Sequence, residues 1–281
     1  MEVFHHFGIK ISSESEAQEF SDIGIKIQRG PRHLYGNSIA SFVMGEQDEM
    51  WMAARDIAQK YKITEYVSTR FSDAEINAAD KLCILSTSQR GYPEPSKELR
   101  YLVASFDLSR FCAKCGIGLR QNNPLRINFI PSLKNNILQL NWVFDEFFVS
   151  REVWTAVFNP LDIGYWPVVL DRTGEEIESV VQLKISHYAG LVLDEANATV
   201  CPTCGRTKTK MDLRGFCPEP VSIPAPIFKS TQFFGSDSNA FNRVLISSSL
   251  YKEIKKDRLR GVDFYPCGPS VIAVSASAVL A

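Results

Sequence analysis

Apolar and polar positions alternate from Val3 to Ile11, a period of two that predicts an opening β-strand, and the polar, acidic run Ser12 to Glu19 reads as a solvated turn. A helical period then takes over: Met50, Trp51, Ala54, Ile57, Ala58 and Tyr61 fall on one face of a segment that Asp48 can cap. Ser72-Asp-Ala-Glu75 has the capping-box spacing, in which serine and glutamate satisfy each other's exposed backbone donors, so a second, shorter helix starts there. The turn signal Arg90-Gly-Tyr-Pro-Glu-Pro95 predicts an exposed loop. It also sets the expected internal boundary, with an N-terminal α+β region over 1–95 and a second α+β domain over 96–281.

In the second region Leu138, Leu140 and Trp142 alternate with Gln139 and Asn141, the pattern of a half-buried strand. Ser150 caps a helix carrying Val153, Trp154, Val157 and Phe158, and Asn159-Pro160 stops it. Tyr165 to Leu170 and Val180 to Ile185 read as a hairpin around the turn-rich Asp171-Arg-Thr-Gly174. Near the C-terminus come the apolar run Arg243 to Ser247, a helix with Leu250 and Ile254 one turn apart, an exit at Gly261 and a last strand through Val262 and Phe264. The predicted fold is α+β, with mixed, mostly antiparallel sheets and short helices. The tail from Ser270 to Ala281 is too short to span a bilayer and reads as a frayed end or a late edge strand.

Chemistry enters with two short cysteine pairs, Cys112-Ala-Lys-Cys115-Gly116 and Cys201-Pro-Thr-Cys204-Gly205. A CxxC turn projects both sulfurs to one side, and the glycine after it takes the backbone shape that lets amide N–H groups point at the thiolates. Two such turns form the half-sites of one tetrahedral ion, so Cys112, Cys115, Cys201 and Cys204 are the expected ligands of a structural zinc in a zinc-ribbon-like site. A thioredoxin-like redox pair would leave the second turn unexplained. The second turn also looks like a rubredoxin knuckle, where the same four thiolates would hold iron. Between Cys115 and Cys201 lie 85 residues, so the ion would act as a clip across a domain. Closing a loop of that length costs about 4 kcal/mol, which an ion held at both ends offsets. Four thiolates fill the tetrahedron and leave no place for a catalytic water.

Composition narrows the remainder. At 281 residues and 45% hydrophobic content the chain can bury a large core. Its 31 basic and 32 acidic residues give no overall field toward nucleic acid or an anionic membrane. Met1 to Lys10 lacks the basic start and apolar stretch of an export signal, so reduced, cytoplasmic thiols are expected rather than disulfides. Cys83, in an apolar run, reads as an inert buried thiol, and Cys217 is the residue that could replace a ligand. Cys267 is the remaining thiol; His5 and His6 fall in the first strand, His33 in a loop and His187 at the end of an alternating run, with none at a ligand spacing from another. Arg206, Lys208 and Lys210 alternate with threonines. Beside four thiolates and a zinc, net −2, they read as compensating cations, the alternative being a nucleic-acid stripe. There is no Gly-rich phosphate loop, no Ser-centred elbow and no HExxH, so no catalytic residue and no cofactor-binding residue beyond the metal ligands is assigned.

The two cysteine turns, with the ending Ile227-Phe-Lys229, Val244-Leu-Ile-Ser247, Leu250 and Leu259-Arg-Gly-Val-Asp-Phe264, resemble the double-CxxCG immunity proteins of bacterial polymorphic toxin systems. The resemblance covers roughly the C-terminal two thirds, and Phe147-Phe-Val-Ser150 belongs to it as well. It implies a cytoplasmic protein, not an enzyme, that binds and neutralises a cognate toxin encoded by an adjacent gene, and it carries over the four cysteines alone. A zinc-stabilised adaptor for nucleic acid or protein is the alternative from another class. Tyr35 and Tyr92, aromatics in expected loops, are candidate contacts because large rigid side chains concentrate binding energy.

Overall fold

The computed structural model describes residues 1–11, 14–32, 38–193, 198–211 and 213–268. His33, Tyr35 and the tail from Ser270 lie outside the described residues. The chain divides into two compact units, Met1–Asp73 with Asp212–Phe216, and Ala74–Met211 with Cys217–Ala281.

The first unit runs β1 (Glu2–Ile11), α1 (Glu14–Asp22), β2 (Gln28–Arg32), β3 (Ser38–Gly45), α2 (Trp51–Lys60) and β4 (Thr64–Arg70). Its sheet has the order β2-β3-β1-β4 and is antiparallel throughout, so two split β-α-β units interlock in the ferredoxin-like arrangement. His5 and Phe7 share one face of β1; Phe7, Phe20, Phe42, Met44, Ala54 and Ala58 make the core. The solvated turn expected over Ser12 to Glu19 is instead largely helix. Phe20 is fully buried and Ile23 packs on the same core, so two apolar residues anchor α1 in an otherwise polar stretch. Asp48 accepts from the N–H of Met50 at 2.9 Å just ahead of α2. The late segment completes this unit: Gly215 N–H donates to Thr69 Oγ1 at 2.7 Å and the Phe216 ring lies 5.3 Å from that of Phe71.

The second unit continues with α3 (Asp73–Ala78), β5 (Lys81–Ser86), α4 (Tyr101–Ser105), β6 (Phe106–Asp107), β7 (Arg120–Gln121), β8 (Arg126–Ile127), β9 (Phe148–Ser150) and α5 (Arg151–Val153). Beyond a π-type turn come β10 (Tyr165–Leu170), β11 (Glu176–Leu183), β12 (Tyr188–Ala189), β13 (Ala198–Val200), β14 (Thr207–Thr209) and β15 (Cys217–Pro218). The chain closes with β16 (Ile227–Phe234), β17 (Phe241–Ser247), α6 (Ser248–Lys256) and β18 (Val262–Gly268). The larger sheet runs β13-β14-β16-β17-β5-β18-β15, with β12 also on β16, and the smaller β8-β10-β11-β9. Both are mixed and mostly antiparallel, as the pattern predicts.

β5 explains why the division falls at Asp73 and not at residue 95. Leu82, Cys83 and Ile84 pair with Ile246, Leu245 and Val244 of β17 on one side and with β18 on the other, so 74–95 belongs to the second unit. Ser150 caps α5 as expected, accepting from the N–H of Val153 at 3.2 Å, and the β10–β11 hairpin forms. The strand expected at Leu138 to Trp142 does not. Leu138 and Leu140 are buried, but only single bridges form there, and Trp142 turns away at φ 69° with its side chain exposed. Among the described residues no helix is long and apolar enough to cross a membrane.

Candidate metal centre

Both cysteine turns close in the same way. The N–H of Cys112 donates to the carbonyl of Ile117 and the N–H of Gly116 back to Cys112, at 2.9 and 2.8 Å. In the second turn Cys201 donates to Arg206 and Gly205 to Cys201, both at 2.9 Å. Each turn needs its glycine, because Gly116 and Gly205 sit at φ 78° and 71°, where a Cβ is strained.

Fold topology then brings the turns together. The first follows β6 and the second leads from β13 into β14, and the four thiols meet with all ligand atoms within 4.8 Å of one another. Cys112 Sγ lies 3.9 Å from Cys201 Sγ, and Cys115 Sγ 3.7 Å from Cys204 Sγ. A tetrahedron with metal–sulfur bonds of about 2.3 Å has edges of about 3.8 Å, the separation of these two pairs, so the donor set could hold one thiophilic ion. All four expected ligands are thus brought to one point. Cys217 is not among them; it lies in β15, paired with Cys267 of β18. Cys83 is fully buried in β5.

The surroundings divide by side. Cys112, Cys115 and Cys201 are buried with Ile117, and Phe233 and Ala240 pack against them; Cys204 stands at the solvent edge. The Arg206 backbone N–H and then its guanidinium, whose Nε is 3.3 Å from the sulfur, hold the Cys204 thiol down at about 6. N–H groups of Cys204 and Thr203 lower Cys201 as well. Burial pushes Cys115 up to about 11, against the N–H of Ile117. These N–H and guanidinium donors favour thiolates, the form in which sulfur binds metal.

The basic flank is not a uniform stripe. Arg206 serves Cys204, whereas Lys208 is buried and donates to the carbonyls of Cys115, Asp237 and Asn239 at 2.9, 2.7 and 2.9 Å. Lys208 therefore ties the second turn's strand to the first turn and to the loop after β16. Sequence spacing marked this lysine as a cation near the sulfurs; its three carbonyl partners come from distant segments and leave no local signal. Lys210 alone of the three is exposed.

No protein-family model, curated protein or solved structure matches this chain.

Proposed function

We propose that this protein is a cytoplasmic immunity protein that binds and neutralises a cognate bacterial toxin, with one structural zinc held by Cys112, Cys115, Cys201 and Cys204. The observation that carries the reading is the convergence of two CxxCG turns, 85 residues apart, on one closed four-thiol site. It occurs in the unit that ends in the strand-helix-strand β17-α6-β18, the segment on which the resemblance to the double-CxxCG immunity proteins rests. Four sulfurs complete the coordination of zinc, so the ion's chemistry here is to hold segments together, and action on a toxin is by stoichiometric binding.

The residues divide the work. Cys112 and Cys115 fix the segment between β6 and β7, Cys201 and Cys204 the entry to β14, and Arg206 and Lys208 balance and brace the two turns. Elemental analysis after purification without metal affinity is expected to give one zinc per chain; iron and a red protein would mark the rubredoxin-like alternative. Co-expression with the product of the neighbouring toxin gene is expected to rescue the host and to yield a near one-to-one complex. Host death despite soluble co-expression, or recovery of nucleic acid in place of a protein, overturns the immunity reading.

A further inference from the structure

Three of the seven cysteines take no part in the four-thiol site, and these three meet at a second place in the larger sheet. Cys217 of β15 and Cys267 of β18 stand directly opposite each other in a parallel pair. Cys83 of β5 faces Tyr265, two positions before Cys267, so the period of two puts both thiols on one face of the sheet. The Cys217 thiol is within hydrogen-bonding reach of Cys267 on one side and of Cys83 on the other. Arg243 joins them from β17, where it lies two positions before Leu245, the partner of Cys83. Its guanidinium is buried, bonds Cys83 Sγ at 3.7 Å and lies 5.0 Å from the centre of the Phe234 ring.

The three thiols differ in access. Cys83 and Cys217 are buried, whereas Cys267, packed at the margin of the Phe228 and Leu245 cluster, is partly exposed. The bond to Cys267 and then burial push the Cys217 thiol up to about 12, against Cys83 and Arg243. The bond to Cys217 and burial raise Cys83 well above the usual thiol range, and Arg243 opposes them. A buried guanidinium is costly among apolar groups, and it favours any neighbouring sulfur that carries negative charge. Adjacent strands lie about 4.8 Å apart, inside the separation of about 4.4–6.8 Å between Cα atoms that a disulfide needs.

We propose that Cys217 and Cys267 form a reversible intramolecular disulfide when the protein meets a hydroperoxide, with Cys267 the sulfur oxidised first. The Cys267 thiolate attacks one peroxide oxygen, the O–O bond breaks, and the hydroxide released takes up the proton the thiol gave and leaves as water; Cys267 becomes a sulfenic acid. The Cys217 sulfur then displaces the sulfenic hydroxyl, which leaves as a second water with the Cys217 proton as the S–S bond forms. Two thiols are oxidised and one peroxide is reduced to two waters. Cys217 is shielded from solvent and keeps its proton until its neighbour is oxidised, so it acts as the resolving thiol. The bridge ties the two-residue strand β15 to β18, at the point where the chain leaves the Asp212–Phe216 segment that completes the first unit. It shares no residue with the four-thiol site and depends on neither a metal nor a toxin.

Treatment of the reduced full chain with hydrogen peroxide, followed by blocking of free thiols and non-reducing peptide mapping, tests it. The expected product links the tryptic peptide carrying Cys217 to the one carrying Cys267 in most chains, with no dimer band on a non-reducing gel and with reversal by dithiothreitol. Cys267→Ser, at the partly exposed position, is expected to abolish that linked pair. Should this variant not fold, the map of the unsubstituted chain decides by itself. Recovery of Cys267 as a free thiol or as sulfinic acid with no linked pair, a bridge from Cys267 to Cys83 in its place, or a linked pair found only between molecules overturns the proposal.

Discussion

The two cysteine turns have the same letters, the same backbone bonds and nearly the same glycine φ, yet they are held in place by different forces. The first is held by packing. A Cβ on Gly116 would fall 2.1 Å from the Ser238 carbonyl oxygen, and Ile117 beside it is fully buried. The second is held by charge and hydrogen bonds: a Cβ on Gly205 would meet nothing within 4 Å, Cys204 is exposed, and Arg206 bonds its sulfur. A CxxCG motif specifies its own loop, whereas its robustness comes from what the rest of the fold places against it.

Cysteine replacement is the strongest way to break this comparison. Cys112→Ser is expected to lose the metal and about 4 kcal/mol, the closure cost of the loop the clip spans, read by metal content and the urea midpoint. Cys204→Ser should lose the metal and the same closure term but leave the buried half of the site packed, so its midpoint shift is expected to be smaller by the packing that Cys112→Ser also disturbs. Equal shifts would mean that packing adds nothing to the first turn.

The glycines sharpen the contrast. Gly116→Ala combines a left-handed alanine with a clash against backbone and is expected to cost about 3 kcal/mol or more, whereas Gly205→Ala carries only the conformational term of about 1–2 kcal/mol. Between these falls Lys208→Met. It strands three carbonyls and removes the brace between the turns, an expected loss of roughly 1.5–3 kcal/mol in thermal or urea unfolding, since its bonds are charged. The smallest effect belongs to Arg206→Gln. Equilibrium stability is expected to change little, but a chelator should withdraw the metal faster. Alkylation during chelation should label Cys204 before Cys112, as peptide mass mapping would show.

Elements with a strong local signal were legible in the sequence: β1, the β10–β11 hairpin and the β17-α6-β18 unit, whose β17 is an apolar run buried on both faces from Asn242 to Ile246. The four clustered cysteines were legible too, because a CxxCG turn signals its geometry within five residues. α1 was not, since Phe20 and Ile23 carry its burial among polar neighbours. Leu138 to Trp142 alternates without forming a ladder, because pairing depends on what lies alongside and not on period. The unit boundary was missed for the same reason, as β5 belongs to strands contributed by the far end of the chain. The buried pair of Glu146 and Lys229 is joined across 83 residues with no motif at either end. Its one local sign is a lysine between Phe228 and Ser230, both fully buried.

The central place of β5 also sets a timetable for synthesis. β17 and β18 are joined by the short α6 and leave between them a slot that β5 fills, yet about 155 residues separate Ser86 from Phe241. At roughly 5–20 residues per second a ribosome needs on the order of 8–30 s to cover that distance, while Leu82, Cys83 and Ile84 emerge with neither neighbour made. All four cysteines are out earlier, once the second turn has emerged, so the donor set for an ion is complete in the nascent chain before its largest sheet. Truncation just before β17 would therefore leave a chain able to take up metal but with the two edges of β5 uncovered, a substrate for chaperones in place of a finished fold.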